Sequence, residues 1–170
     1  MGLFDGFSNN RYRGFSREAR RLLDEAVQLA GGLGCDRADT SHLLLAMLQQ
    51  SSGPAARFLT GKKISEQAVR RQLAQERCGP SHRLDRSAMA PELKRAMDYA
   101  LIGAQNAHLT RAEPEHLLCA MLEDDGCAAG LMLSAMGMQL NEAVRECRRS
   151  PGPPRLHLGA AVPAINTAGT

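Results

Sequence analysis

Two histidines occupy matched positions in the chain: His42 in Thr40-Ser41-His42-Leu43-Leu44-Leu45 and His116 in Pro114-Glu115-His116-Leu117-Leu118-Cys119. Each could hold a metal or move a proton. Zinc sites need N and S ligands at consistent spacing. His116-x-x-Cys119 resembles half of one, but Leu45 stands where the other segment has Cys119, so Cys119 is expected in the core. A Cys/His hydrolase needs a nucleophile and a base in one cleft, and nothing singles out Cys35, Cys78, Cys119, Cys127 or Cys147. A P-loop needs Gly-x-x-x-x-Gly-Lys-(Ser/Thr). Around Gly61-Lys62-Lys63, Ala56 replaces the first glycine and Lys63 the hydroxyl. Neither a nucleotide site, a cofactor nor a metal is therefore expected, and both histidines read as structural groups bonded near helix starts.

The matched positions belong to a longer repeat. The offset from His42 to His116 is 74 residues, and 13 identities at that offset fall between Phe15 and Leu48 without a gap. Among them are Glu18/Glu92, Arg21/Arg95, Asp24/Asp98, Ala38/Ala112 and Met47/Met121. Agreement over this length marks a tandem duplication.

Each copy predicts four helices. Ser16 can cap a first helix, whose stripe Ala19, Leu22, Leu23, Ala26, Val27 and Ala30 has helical spacing. Gly31, Gly32 and Gly34 should end it. Thr40 reads as the cap of an all-apolar second helix to about Leu48, a candidate for the centre of the fold. A short third helix spans about Ala55 to Leu59, and Ser65 caps a fourth. The second copy starts its helices near Pro91, Pro114, Gly126 and Leu140. No strand-like alternation appears, and aromatic residues are only 4%. The expected fold is all-α: two tandem four-helix repeats, eight helices, related by a pseudo-two-fold axis. The expected boundaries are a flexible arm over 1–14, repeat 1 over 15–77, a connector over 78–88, repeat 2 over 89–149 and a Pro/Gly-rich linker over 150–170.

Composition excludes little else. The 170 residues are 44% apolar and 23% charged, with net charge +3, ordinary values for a soluble globular protein. No apolar run approaches the roughly 20 residues that span a membrane. The start has neither the basic leader nor the apolar stretch of a signal peptide. Five cysteines without a Cys-x-x-Cys pair read as reduced thiols in a cytoplasmic protein. The methionines Met47, Met89, Met97, Met121, Met132, Met136 and Met138 fall mostly on helical stripes and read as core.

Asp39-Thr40-Ser41-His42-Leu43-Leu44-Leu45 with Gly53-Pro54-Ala55-Ala56, and Glu113-Pro114-Glu115-His116-Leu117-Leu118 with Gly126-Cys127-Ala128-Ala129, resemble the Gly-Thr-Glu-His-(Ile/Leu)-Leu-Leu…Gly-x-Ala-Ala pattern of Clp N-terminal domains. These top the ClpA/ClpC class of AAA+ protein unfoldases, and the likeness runs from about Phe15 to Arg149. The resemblance implies a non-catalytic module that receives protein substrates and adaptor proteins, attached through the linker to ATPase modules of the same parent chain. In ClpC-type domains it further implies two pockets for phosphorylated arginine. A motif carboxylate takes the guanidinium, and a helix start with a hydroxyl takes the phosphate. Matched within each repeat, repeat 1 keeps the hydroxyl as Ser16 but has Ser41 for the glutamate. Repeat 2 keeps Glu115 but has Ala90 for the hydroxyl. The expected docking residues are Ser16, Arg17, Thr40, Ser41, Ala90, Glu113 and Glu115.

Two other readings stand beside this one. A stand-alone accessory protein of the same fold would bind a Clp protease or unfoldase directly. A small helical nucleic-acid binder would use Arg17, Arg20, Arg21, Lys94 and Arg95, although acidic residues interleaved along the same helices disfavour any nucleic-acid partner.

Overall fold

The computed structural model describes residues 12–76 and 79–149, and the rest of the expected arm and linker lies outside the described residues. The helices are α1 (Arg17–Gly32), α2 (Thr40–Gln49), α3 (Pro54–Gly61), α4 (Glu66–Gln75), α5 (Pro91–Asn106), α6 (Pro114–Glu123), α7 (Ala128–Ala135) and α8 (Leu140–Arg149). Every start and end in the second set is its counterpart in the first displaced by 74 residues, as in Arg17 to Pro91 and Gly61 to Ala135. The fold is all-α, and among the described residues no strand forms.

Local chemistry sets most boundaries. Ser16 caps α1, its Oγ accepting from the Ala19 amide at 3.2 Å. Helix α1 runs on through Gly31 and Gly32, and the chain reverses at Gly34, where φ is +74°. Left-handed φ favours glycine. The second repeat makes the same reversal at His108, φ +56°. The cap of α2 is Asp39 rather than Thr40, because the Asp39 carboxylate accepts from the Ser41 amide at 2.9 Å. Helix α7 begins after Cys127, two residues beyond Gly126. Gly53 is therefore the structural counterpart of Cys127 and not of Gly126.

The two repeats share one core. Phe15 and Tyr12 join the α1 stripe in it, so packing begins ahead of residue 15. Helix α2 is buried from Thr40 to Leu48, as an apolar helix at the centre requires. It packs on α1, α3 and α4 of its own repeat and on α7 of the other. In mirror fashion α6 packs on α5, α7 and α8, and on α3. All seven methionines weighed above are buried or half-buried.

Short parallel bridges tie the repeats at both ends. The Ala112 amide donates to the Gly14 carbonyl at 2.7 Å, and the Ser16 amide to the Ala112 carbonyl at 2.9 Å. At positions 74 residues displaced, the Ala38 amide donates to the Ala88 carbonyl at 2.8 Å and the Ala90 amide to the Ala38 carbonyl at 2.7 Å. These bonds lay the start of α1 beside the start of α6, and the start of α5 beside the start of α2.

Cys119 of α6 and Cys147 of α8 form a disulfide, with Cα atoms 6.1 Å apart. This corrects the expectation of reduced thiols throughout. The equivalent positions in repeat 1 are Leu45 and Leu73, both buried.

Candidate functional site

The geometry changes which residues lie side by side. Hydroxyl and carboxylate positions were matched within each repeat, but the bridges bring them together across repeats. Ser16 faces the helix that carries Glu115, and Ala90 faces the helix that carries Ser41. Ser16 and Glu115 therefore lie at one end of the molecule, and Ala90 and Ser41 at the other.

At the first end, α1, α6 and α3 start close together. Ser16 is buried, whereas Arg17 and Glu18 are exposed. Glu113 caps α6, and its amide donates to His116 Nδ1 at 3.0 Å. Glu115 is half-buried, and its Oε2 is enclosed without a hydrogen-bond partner. Burial pushes the Glu115 carboxyl above the usual carboxylate range, against the bond from its own amide. The arrangement is a carboxyl raised mainly by burial, with the Glu113 and Glu18 charges adding to burial and Arg57 of α3 opposing them.

The second end is filled from within. Thr40 and Ser41 are fully buried, and the Ser41 hydroxyl donates to the Asp39 carboxylate. Glu92 of α5 reaches across: its Oε1 accepts from the Thr40 amide at 3.1 Å and the Thr40 hydroxyl at 3.0 Å, and its Oε2 accepts from the Ala128 amide at 3.1 Å. The Thr40 oxygen in turn accepts from the Ala129 amide at 3.0 Å. Ala90 caps α5 with no side-chain bond. Thr40 and Ser41 are thus spent on bonds inside the chain, and Ala90 has no polar side chain.

Both histidines serve as helix caps. His42 Nδ1 accepts from the Asp39 amide at 3.2 Å and lies 2.8 Å from the Asp39 carboxylate. Burial raises the Asp39 carboxyl, but the His42 bond and charge and the Ser41 hydroxyl outweigh it and hold the group below its ordinary value. Burial lowers the His116 imidazole more than the Glu113 charge raises it. A residue with a ring nitrogen three positions after the cap takes the role that Glu or Gln has in a capping box. Among the described residues no cluster of three metal-capable side chains exists. Cys127 is buried, its Sγ accepts from the Gly130 amide at 3.3 Å, and burial pushes its thiol up. It is placed to cap α7, not to attack a substrate.

Three of the five basic residues weighed for nucleic acid are committed inside the chain. Arg20 Nε donates to the Phe15 carbonyl at 3.0 Å, Arg21 pairs with Glu25 at 2.9 Å, and Arg95 pairs with Asp124 at 3.3 Å.

Sequence reasoning missed Glu18, Glu92 and Arg57. The Glu18/Glu92 identity was visible in the repeat, and Pro54 and Pro114 were visible as the residues that alter its surroundings. Only the cross-repeat contact shows why they matter.

A tandem repeat of four helices with helix starts paired across the repeats defines a two-repeat all-α domain. The family model "Clp repeat (R) N-terminal domain" matches residues 14–136, and the chain belongs to that family. It is 22% identical over 147 residues to the ATP-dependent Clp protease ATP-binding subunit ClpC of Staphylococcus epidermidis, covering 83% of this chain and 17% of that protein. It is likewise 22% identical over 130 residues to the negative regulator of genetic competence ClpC/MecB of Bacillus subtilis, covering 76% of this chain and 16% of that one. The chain thus spans about a sixth of the length of these relatives. In fold it matches the N-terminal domain of the chaperone ClpD from Arabidopsis thaliana, with TM-score 0.64 and 19% identity over 86% of this chain and 96% of that one. The N-domain of ClpV from Vibrio cholerae matches with TM-score 0.63 and 14% identity, over 82% of this chain and 86% of that one.

Proposed function

We propose that this chain is the protein-docking domain of a Clp-type unfoldase. It receives segments of substrates or adaptor proteins where α1, α3 and α6 begin, and leaves ATP chemistry to modules elsewhere in a parent chain in the cytoplasm. The observation that carries this reading is the enclosed, unpartnered Oε2 of Glu115, on a helix start that the Ser16–Ala112 backbone bond lays beside the start of α1 from the other repeat. A guanidinium matches such a carboxylate with two parallel bonds.

The other charges at this end select among arginine ligands. Glu18 and Glu113 add negative potential, which attracts a guanidinium and opposes a phosphate. Unmodified arginine side chains of a docking partner fit better than phosphoarginine, which binds more weakly here than the family resemblance implies.

The test is a heteronuclear NMR titration of the labelled chain with reduced, alkylated lysozyme as an unfolded arginine-containing polypeptide, and with free arginine and phosphoarginine. Shifts clustered at Ser16, Glu18 and Glu115, stronger for arginine than for phosphoarginine, support the reading. Silence with all three, or shifts confined to the outer face of α5, overturns it.

A further inference from the structure

We infer that Glu92 closes one of the two pseudo-equivalent ends from within, so that the domain offers one docking pocket and not two. The inference rests on the reading of the helix ends as docking pockets, and it fixes their number.

The Glu92 carboxylate takes the place of an incoming anion. It accepts from the first amide of α2 and the first amide of α7, and from the Thr40 hydroxyl, at 3.0–3.1 Å. Two helix N-termini therefore converge on one negative charge, which their free amides and dipoles stabilise. The latch joins α5 to both α2 and α7, and so crosses the duplication. A ligand entering this end must displace three charge-assisted bonds.

The same glutamate has the opposite fate at the other end. Glu18 is the counterpart of Glu92 at the 74-residue offset, but Pro114 stands for Thr40 and Pro54 for Ala128. Proline has no amide hydrogen, and Pro114 also lacks the hydroxyl. None of the three bonds that Glu92 accepts can form around Glu18, and Glu18 is exposed. Two prolines thus separate an open pocket from a closed one on a backbone that is otherwise repeated.

Closure and docking are tested separately. Amide hydrogen exchange compares the wild-type chain with Glu92→Gln, whose side-chain nitrogen cannot accept a bond. A Gln side chain has one acceptor oxygen for the two that Glu92 uses, so with that oxygen kept by Thr40 the Ala128 amide should exchange roughly tenfold faster or more in the variant, while the α6 amides stay unchanged. Equal exchange in both proteins overturns the latch, whatever the chain binds. In the arginine titration of the wild type, shifts at both ends overturn the single-pocket inference. Complete silence defeats the docking reading instead, and leaves exchange to decide closure. Pro54→Ala with Pro114→Thr supplies the missing donors to Glu18 and should weaken arginine binding at least tenfold. Unaltered binding by that double variant, with its fold confirmed by circular dichroism, also overturns the inference.

Discussion

The Ser16 amide donates to the Ala112 carbonyl at 2.9 Å, joining the start of the first helix to the strap that precedes the sixth. Under the proposed docking reading, this bond makes the binding unit a pair of half-repeats rather than a repeat. Substitutions that look unrelated in sequence therefore act on one pocket. Glu115→Gln should weaken binding of an arginine-bearing polypeptide about tenfold, from the loss of one charge-assisted bond. Ser41→Glu, which restores the family motif in repeat 1, should not raise affinity, because position 41 is fully buried at the other end. Calorimetric titration of both variants checks the pairing.

Glu115 also predicts a pH dependence. Its carboxyl is raised in the folded state, mainly by burial. A raised acid contributes stability that is present below its unfolded pKa and lost as pH rises through the folded one. Glu115→Gln should therefore melt higher than wild type at pH 7, by about 1–4 °C. The advantage should vanish near pH 3, well below the unfolded value, where the wild-type carboxyl is protonated in both states. Differential scanning calorimetry at the two pH values gives the comparison, and a variant that melts lower at pH 7 contradicts it.

Much of this was legible in the sequence. The stripe of α1 and its copy in α5 have helical spacing, Ser16 and Ser65 are strong caps, and the 74-residue offset places α5 and α6 from α1 and α2, although Gly126 misplaces the start of α7 by two residues. Two kinds of fact were not legible. The Thr40 hydroxyl is engaged by Glu92, a contact between residues 52 positions apart, and Asp39 caps α2 in its place. Pocket membership depends on bridges between Phe15 and Ala112 and between Ala38 and Met89. Helical periodicity carries no information about either.

The Cys119–Cys147 disulfide occupies the place of the buried pair Leu45 and Leu73. It closes a loop of 28 residues, for which the chain-entropy argument gives about 3–4 kcal/mol. Reduction should lower the melting temperature by several degrees and leave α6 folded, since Leu117, Leu118, Met121 and Leu122 still anchor it. Helix α8 should loosen first, because Ala143 and Cys147 are its only buried residues. Melting with and without reductant, and exchange at the α8 amides, measure both effects. A Cys119→Leu, Cys147→Leu variant, which copies repeat 1, should be indifferent to reductant.

Gly34 gives the sharpest stability prediction. Its φ of +74° is a left-handed conformation that side chains disfavour, and a Cβ placed there would run into the backbone of Gly79 in the connector. His108, at the equivalent place in repeat 2, tolerates φ +56°, so left-handed geometry alone does not demand glycine. The close approach of Gly79 does. Gly34→Ala should therefore destabilise the chain by about 2 kcal/mol, roughly 1 from conformation and the rest from displacing the connector. His108→Gly should stabilise slightly or leave stability unchanged, because it relieves the same backbone conformation and has no comparable obstacle. Urea denaturation of the two variants separates conformation from contact. Equal and small effects would mean that the connector yields to a methyl group at no appreciable cost.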